Sequence, residues 1–482
     1  MQRTVRKTKI NFERRIRMRS LVMAATLTTV AAIFVFGQST STNSIPNMFP
    51  FSNPSGQSAT FTSDGSIDLN NPFFQSLGTN GRTCATCHQP DQGWSVSADQ
   101  VQARFDSTDG TDPIFRTNDG SNCDHDIDVS TVRDRQKAYS LLTSRGLIRV
   151  AIDVPLTAEF EVASVSNPYG CNETSRLSLY RRPLPSTNLR ALSTVMWDGR
   201  ESTPPSTEKI TFATNPNDLL FDLAHQSVDA TLGHAQALVP PTSEQQQQIV
   251  NFETHLSTAQ ISDDKAGAFG TDGANGGPVA LSQQQFFVGI NDPLGGNPTN
   301  APFTPVIFTL YGAWLNLTGQ GAALKASIAR GEQLFNSRTI HISGVAGLND
   351  DLGIPDITGS CGTCHDTPNF GNHSLPVPLN IGVGDLRSPL DVSYLPVITL
   401  RNKTTGQTVN TTDPGRALIT GKWQDIGRVK GPILRSLASR APYFHNGSAK
   451  TLFDVINFYN TRFDMKLNNN EKEDLAAFLR AL

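Results

Sequence analysis

Several things that would place a sequence quickly are missing from this one. Lys and Arg number 40 against 43 Asp and Glu in 482 residues, so no basic excess exists to track a nucleic-acid backbone, and no nucleic-acid partner is expected. After about residue 40 no apolar run is long enough to cross a bilayer. Methionine is scarce, and past the first forty residues only Met48, Met196 and Met465 occur. Cysteine is limited to six. Four of those six fall in two copies of one pattern.

The copies are Cys84-Ala85-Thr86-Cys87-His88 and Cys361-Gly362-Thr363-Cys364-His365. Cys-x-x-Cys-His is the attachment sequence for a c-type haem: two thiols bond the porphyrin edge and the histidine ligates the iron. A lone Cys-x-x-Cys can also be a redox dithiol or half a zinc site. Zinc wants four ligands close together, and these copies lie far apart in the chain. Two covalently bound haem c groups are therefore expected, held by Cys84, Cys87, His88, Cys361, Cys364 and His365. The remaining cysteines, Cys123 and Cys171, have no histidine at metal spacing. In an oxidising compartment they read as a disulfide, the alternative being two buried free thiols.

The first forty residues imply that compartment. Basic residues from Arg3 to Arg19 precede an apolar run from Leu21 to Phe36, the pattern of a secretory signal. The run is near the lower limit for a membrane span, so an uncleaved N-terminal membrane anchor competes with it. The expected location is exported or periplasmic, soluble or anchored at the inner membrane.

Organisation follows from composition and periodicity. Residues 1–40 are signal or anchor, and the Ser/Asn/Pro-rich residues 41–70 read as a linker. An N-terminal haem c domain is expected over 71–315 and a C-terminal one over 316–482. From about 95 to 180 turn residues dominate, with short β-like pieces at 147–154 and 160–165. Helices are expected over 243–257, capped by Ser243, and over 322–335. Two more begin near Thr451, with Asp454 in the capping box, and near Asn468, with Glu471 three residues on. Gly- and Asn-rich stretches at 266–278 and 291–300 mark loops. The expected fold is mainly α: two cytochrome c-like haem domains, the first enlarged by loop-rich insertions.

Beyond the attachment motifs, Trp197-Asp198-Gly199-Arg200, Lys430-Gly431-Pro432-Ile433-Leu434-Arg435 and Arg440-Ala441-Pro442-Tyr443-Phe444-His445-Asn446-Gly447 resemble the bacterial di-haem cytochrome c peroxidase/MauG family. The likeness covers both haem motifs and most of 320–482, and is patchy before that. It implies that the first haem reduces hydrogen peroxide with electrons relayed from the second, and that Trp197 lies between the two. The electron donor would be a small cytochrome or a copper protein. In the MauG manner, the chain would instead oxidise a protein substrate. A reading from another class is a non-catalytic di-haem electron carrier.

The resemblance also assigns distal residues. The family's ligand to the second haem lies fourteen residues after the histidine of Pro-Tyr-x-His, which here is Tyr459, on the apolar face of its helix with Leu452, Val455 and Ile456. Met465 is the alternative ligand. The family's reversible histidine before Trp-Asp-Gly-Arg has no counterpart in Glu173 to Asn188, so the first haem is expected to be open. Gln236 stands where the family has a distal glutamate, and His234 is the nearby group able to move a proton. His445 and Arg435 are expected near the second haem's propionates. A calcium ion between the domains would draw on Asn188, Gly431 and Ile433.

Overall fold

Alternation in Ile148-Arg149-Val150-Ala151-Ile152-Asp153 and in Arg176-Leu177-Ser178-Leu179-Tyr180-Arg181 suits strands with one buried face. The computed structural model, which describes residues 43–201, 216–286, 307–365 and 377–482, pairs these two antiparallel, with Ile148 opposite Arg181 and Asp153 opposite Arg176. Residues 1–40, read as signal or anchor, and the stretch 291–300 lie outside the described residues. No described helix is long and apolar enough to cross a membrane.

The expectation of a mainly α fold is corrected here. Among the described residues five sheets accompany the helices, so the architecture mixes helix and sheet. The largest sheet orders Phe51–Asn53, Gly56–Thr62, Leu256–Asp263 and Gly267–Ala268, all antiparallel. A three-stranded sheet sets Val397–Asn402 between Thr408–Thr411 and Phe160–Ser166. Two-stranded ribbons join Ser44–Pro46 to Ser66–Asp68 and Ile340–Ser343 to Asp356–Gly359. Four of these strands fall within the stretch 41–70. The strands are short and rich in Ser, Thr and Gln, so they carry little apolar periodicity to betray them. Residues Asn43–Leu482 form one unit.

The helices follow their capping signals closely. Thr451 accepts from Asp454 N and Asn468 from Glu471 N, each within a reciprocal capping box. The earlier helix is Ser243–His255, capped by Thr242 and Gln245 one residue before the expected pair. It stops at His255 because the next eight residues leave as the strand Leu256–Asp263. The helix Ala322–Ser337 packs across Asn469–Arg480 at Gly331, where an added Cβ would lie 2.0 Å from Asp474 O. Burial of Leu475, Phe478 and Leu479 on the facing side stabilises this crossing by roughly 1.5–3 kcal/mol per side chain.

One buried charge cluster ties the sheets to the Trp-Asp-Gly-Arg segment. Arg181, at the end of its strand and 2 % exposed, donates Nε to Asp413 Oδ2 at 2.7 Å and Nη2 to Asp413 Oδ1 at 2.9 Å. Its Nη1 reaches Asp198 Oδ2 at 2.5 Å. Burial alone would raise both carboxyls, but Arg200 and Arg181 at Asp198, and Arg181 at Asp413, hold them below the usual range. Their stabilising contribution is therefore complete above an unfolded value of about 4 and is lost as pH falls through the lower folded value. Arg181→Ala leaves two buried carboxylates without their shared cation and should cost roughly 3–5 kcal/mol at pH 7. Urea denaturation of the purified protein checks this, and an unchanged midpoint would count against the cluster.

Candidate cofactor-binding site

The two pentapeptides fold into the same turn. Cys84–Thr86 and Cys361–Thr363 are each one 3₁₀ turn, and the threonine before the second cysteine closes it. Thr86 Oγ1 accepts from Thr83 N at 2.9 Å, and Thr363 Oγ1 from Ser360 N at 2.9 Å. His88 N and His365 N donate back to Cys84 O and Cys361 O, each at 3.0 Å. Both cysteines and the histidine of each turn border a single cavity. Gly362 replaces Ala85 because a Cβ there would meet Ile307 Cδ1 at 1.6 Å.

Each turn opens into its own cavity. The first encloses about 1430 Å³, solvent mouth included, and is bordered by Cys84, Cys87 and His88. The second encloses about 1690 Å³ and is bordered by Cys361, Cys364 and His365. Trp197, Arg182, Pro183, Lys430 and Ile433 border both. The indole of Trp197 is fixed by its Nε1, which donates to Arg182 O at 2.8 Å, and its ring lies 6.0 Å from that of His445.

In the first cavity His88 Nδ1 lies 3.1 Å from Trp94 O. Burial lowers the imidazole to about 4, so the ring is neutral at pH 7 and Nδ1–H donates to that carbonyl. That tautomer leaves Nε2 as a lone-pair donor, the arrangement a metal-ligating histidine adopts. Trp94 is wholly buried, and its indole N–H donates to Thr60 Oγ1 at 2.9 Å. Sequence reasoning missed Trp94, whose signal was its place six residues after His88 in a chain with 4 tryptophans.

His234 borders this cavity, with Nδ1 2.5 Å from Asp119 Oδ2. Asp119 also pairs with Arg82, which is 3 % exposed. Burial pushes the Asp119 carboxyl up, but His234 and Arg82 outweigh it and hold it below the usual range. Gln236 does not border the cavity: it is exposed, in the left-handed region at φ 54°, with Oε1 accepting from Asn80 Nδ2 at 3.3 Å. Glu253, also unforeseen, lies on the wall beside Cys84. Burial pushes its carboxyl up to about 8, and its Oε2 has no hydrogen-bond partner.

In the second cavity Tyr459 Oη lies 3.4 Å from His365 Nε2, with the rings steeply inclined. Burial raises the phenol above its usual value. Met465 borders the same cavity. His445 is buried there, lowered to about 4 by burial, with its Nε2 3.9 Å from Asp413. Arg435 is buried but does not border the cavity.

These surroundings fit a haem in each cavity. The walls are mainly apolar, and each cavity is bordered by two thiols and an imidazole. The second cavity also has Arg182, Lys430 and Arg440, all buried, whose side chains among the described residues hydrogen-bond only to main-chain carbonyls. Burial lowers them to about 9, about 7 and about 10 respectively, so a cofactor carrying carboxylates would meet cations in need of anions.

The calcium residues do not fit their ion. Asn188 Oδ1 accepts from Thr258 N and its Nδ2 donates to Thr258 O, each at 2.9 Å. The carbonyl of Ile433 accepts from the Arg440 guanidinium, so a cation already stands there. Gly431 borders the second cavity. Elsewhere, Cys123 and Cys171 are joined by a disulfide, with the exposed His125 beside them contacting Asp124 and Glu173.

Comparison with known proteins returns peroxidases. No family model matches the chain. It is 30% identical over 180 residues to a cytochrome-c peroxidase, IdrP2, of Denitromonas iodatirespirans, a match spanning 34% of this chain and 42% of that protein. It is 35% identical over 81 residues to the cytochrome-c peroxidase IdrP1 of Pseudomonas sp. (strain SCT), spanning 14% and 21%. The chain thus spans less than half the length of these curated relatives. A solved structure of a MauG-like protein associated with microbial copper homeostasis is 15% identical, covering 86% of this chain and 88% of that one, with a TM-score of 0.35. Over the stretches they match, the curated relatives are cytochrome-c peroxidases, to which this chain is similar.

The Arg82–Asp119–His234 chain gives a stability test. Asp119→Ala strands a buried guanidinium and should cost roughly 3–5 kcal/mol in chemical denaturation. His234→Ala, at a side chain 41% exposed, should cost far less. Equal losses would show that Asp119 does not carry the Arg82 charge.

Proposed function

We propose that this chain is an exported di-haem c-type oxidoreductase of the peroxidase type, which reduces hydrogen peroxide in the cavity of Cys84–His88. The overall change is H2O2 + 2 e⁻ + 2 H⁺ → 2 H2O, with electrons entering from a small cytochrome or copper protein through the cavity of Cys361–His365. The observation that carries this reading is the pair of like Cys-x-x-Cys-His turns, each opening into its own cavity, with Trp197 on the wall of both.

Haem, when bound, supplies a redox-active iron to each cavity. The chain's own residues supply the rest. His88 and His365 would hold the iron. Tyr459 faces His365 and closes the second site with a hard oxygen donor. Among the described residues no tyrosine or methionine is placed against His88 as Tyr459 is against His365, which supports an open first site. His234 delivers protons to peroxide, with Asp119 fixing the ring through Nδ1 so that Nε2 is the exchanging atom. Trp197 provides an aromatic path between the cavities. A second reading, oxidation of a protein substrate in the MauG manner, is favoured by the same tyrosine, because an anionic oxygen ligand stabilises oxidised iron.

Three measurements on the exported protein test this. Two covalent haems should be found, with a high-spin ferric component that changes on adding peroxide. His234→Ala should lower peroxide turnover by about 10²-fold without loss of haem. Two low-spin haems inert to peroxide would leave only the electron-carrier reading.

A further inference from the structure

One buried charge has no part in the relay above. Lys430 is 2 % exposed and borders both cavities. Its main-chain N–H donates to Trp197 O at 2.8 Å, which pins the residue to the tryptophan the two cavities share. Its Nζ donates to Thr194 O at 3.0 Å. A lysine ammonium has three donors, so two N–H groups remain unspent.

Arg181 is flanked by the carboxylates of Asp198 and Asp413. Arg182 borders both cavities too, but its guanidinium is spent on the carbonyls of Arg145, Val96 and Arg440. Among the described residues no carboxylate stands within ion-pair distance of Lys430, and burial alone lowers its ammonium to about 7. A buried, partly unbonded ammonium is costly unless an anion reaches it. Lys430 borders both cavities, so what those cavities hold is the source of an anion for it. A haem carries two carboxylate side chains of the required charge.

We propose that Lys430 is a positioning residue shared by the two cavities, its one ammonium receiving carboxylates from both sides and setting the reduction potentials of both haems together. This rests on the haem reading given above. A nearby positive charge disfavours the more positive, oxidised iron, so Lys430 raises both potentials.

Spectroelectrochemical titration of the exported holoprotein tests the idea, with haem content measured first. A wild-type chain without two covalent haems would overturn the functional reading and with it this inference. With both haems present, K430M and K430Q should each lower both midpoints, although Gln retains a hydrogen-bond donor. K430R, which keeps the charge, should hold both near wild type. Midpoints that do not move, that move for one haem only, or that fall equally in K430R would overturn the shared role. Loss of haem in K430M and K430Q alike, with K430R retaining it at shifted midpoints, would also count against the shared role.

Discussion

Everything near the two cavities depends on Arg181 being buried between two carboxylates. The guanidinium enters from the end of a strand, Asp198 belongs to the Trp-Asp-Gly-Arg segment, and Asp413 lies after the strand Thr408–Thr411. Three remote pieces of chain are thereby held at one point. Trp197 is the next residue to Asp198, so the ion pair anchors its backbone while the indole N–H on Arg182 O orients the ring. Full pairing matters here: Arg181 is bidentate on one acid and bonded to the other, which is the condition under which a buried charge is tolerated.

The two attachment motifs are locally alike and globally different. Turn, threonine closure and backbone bonds repeat almost atom for atom. Beyond the turn, the first histidine is oriented by a main-chain carbonyl and faces a cavity edged by the His234–Asp119 pair and an uncharged Glu253. The second faces a tyrosine within a largely aromatic and aliphatic cluster. The first is edged by acid–base side chains next to its histidine; the second sets an aromatic hydroxyl there instead.

Much of this was legible in the sequence wherever the signal was local. The capping boxes at Thr451 and Asn468 mark their helices, and heptad-like spacing places Tyr459 on the face that reaches the second cavity. What was not legible was long-range. Leu256–Asp263 follows a helix without a break signal and becomes a strand because Gly56–Thr62 supplies its partner. The polar composition of such strands hid the sheets, so the helix-dominated expectation failed. Asp119 lies far along the chain from His234, and no pattern links them. Gln236 shows the opposite hazard: its alignment with an acid carried no information about where its side chain points.

The N-terminal strand has a consequence for the order in which the molecule assembles. Thr60 holds the indole of Trp94, whose carbonyl orients His88, and Thr60 is itself held by Thr258 across a separation of 198 residues. Pairings so distant in sequence form late, because the intervening loop must be closed before any contact rewards it. The first cavity therefore stays unfinished until the middle of the chain has folded onto its beginning. The turn at Cys84 needs only its own neighbours. A reactive pair of thiols is thus presented early, on an accessible turn, and walled in only afterwards.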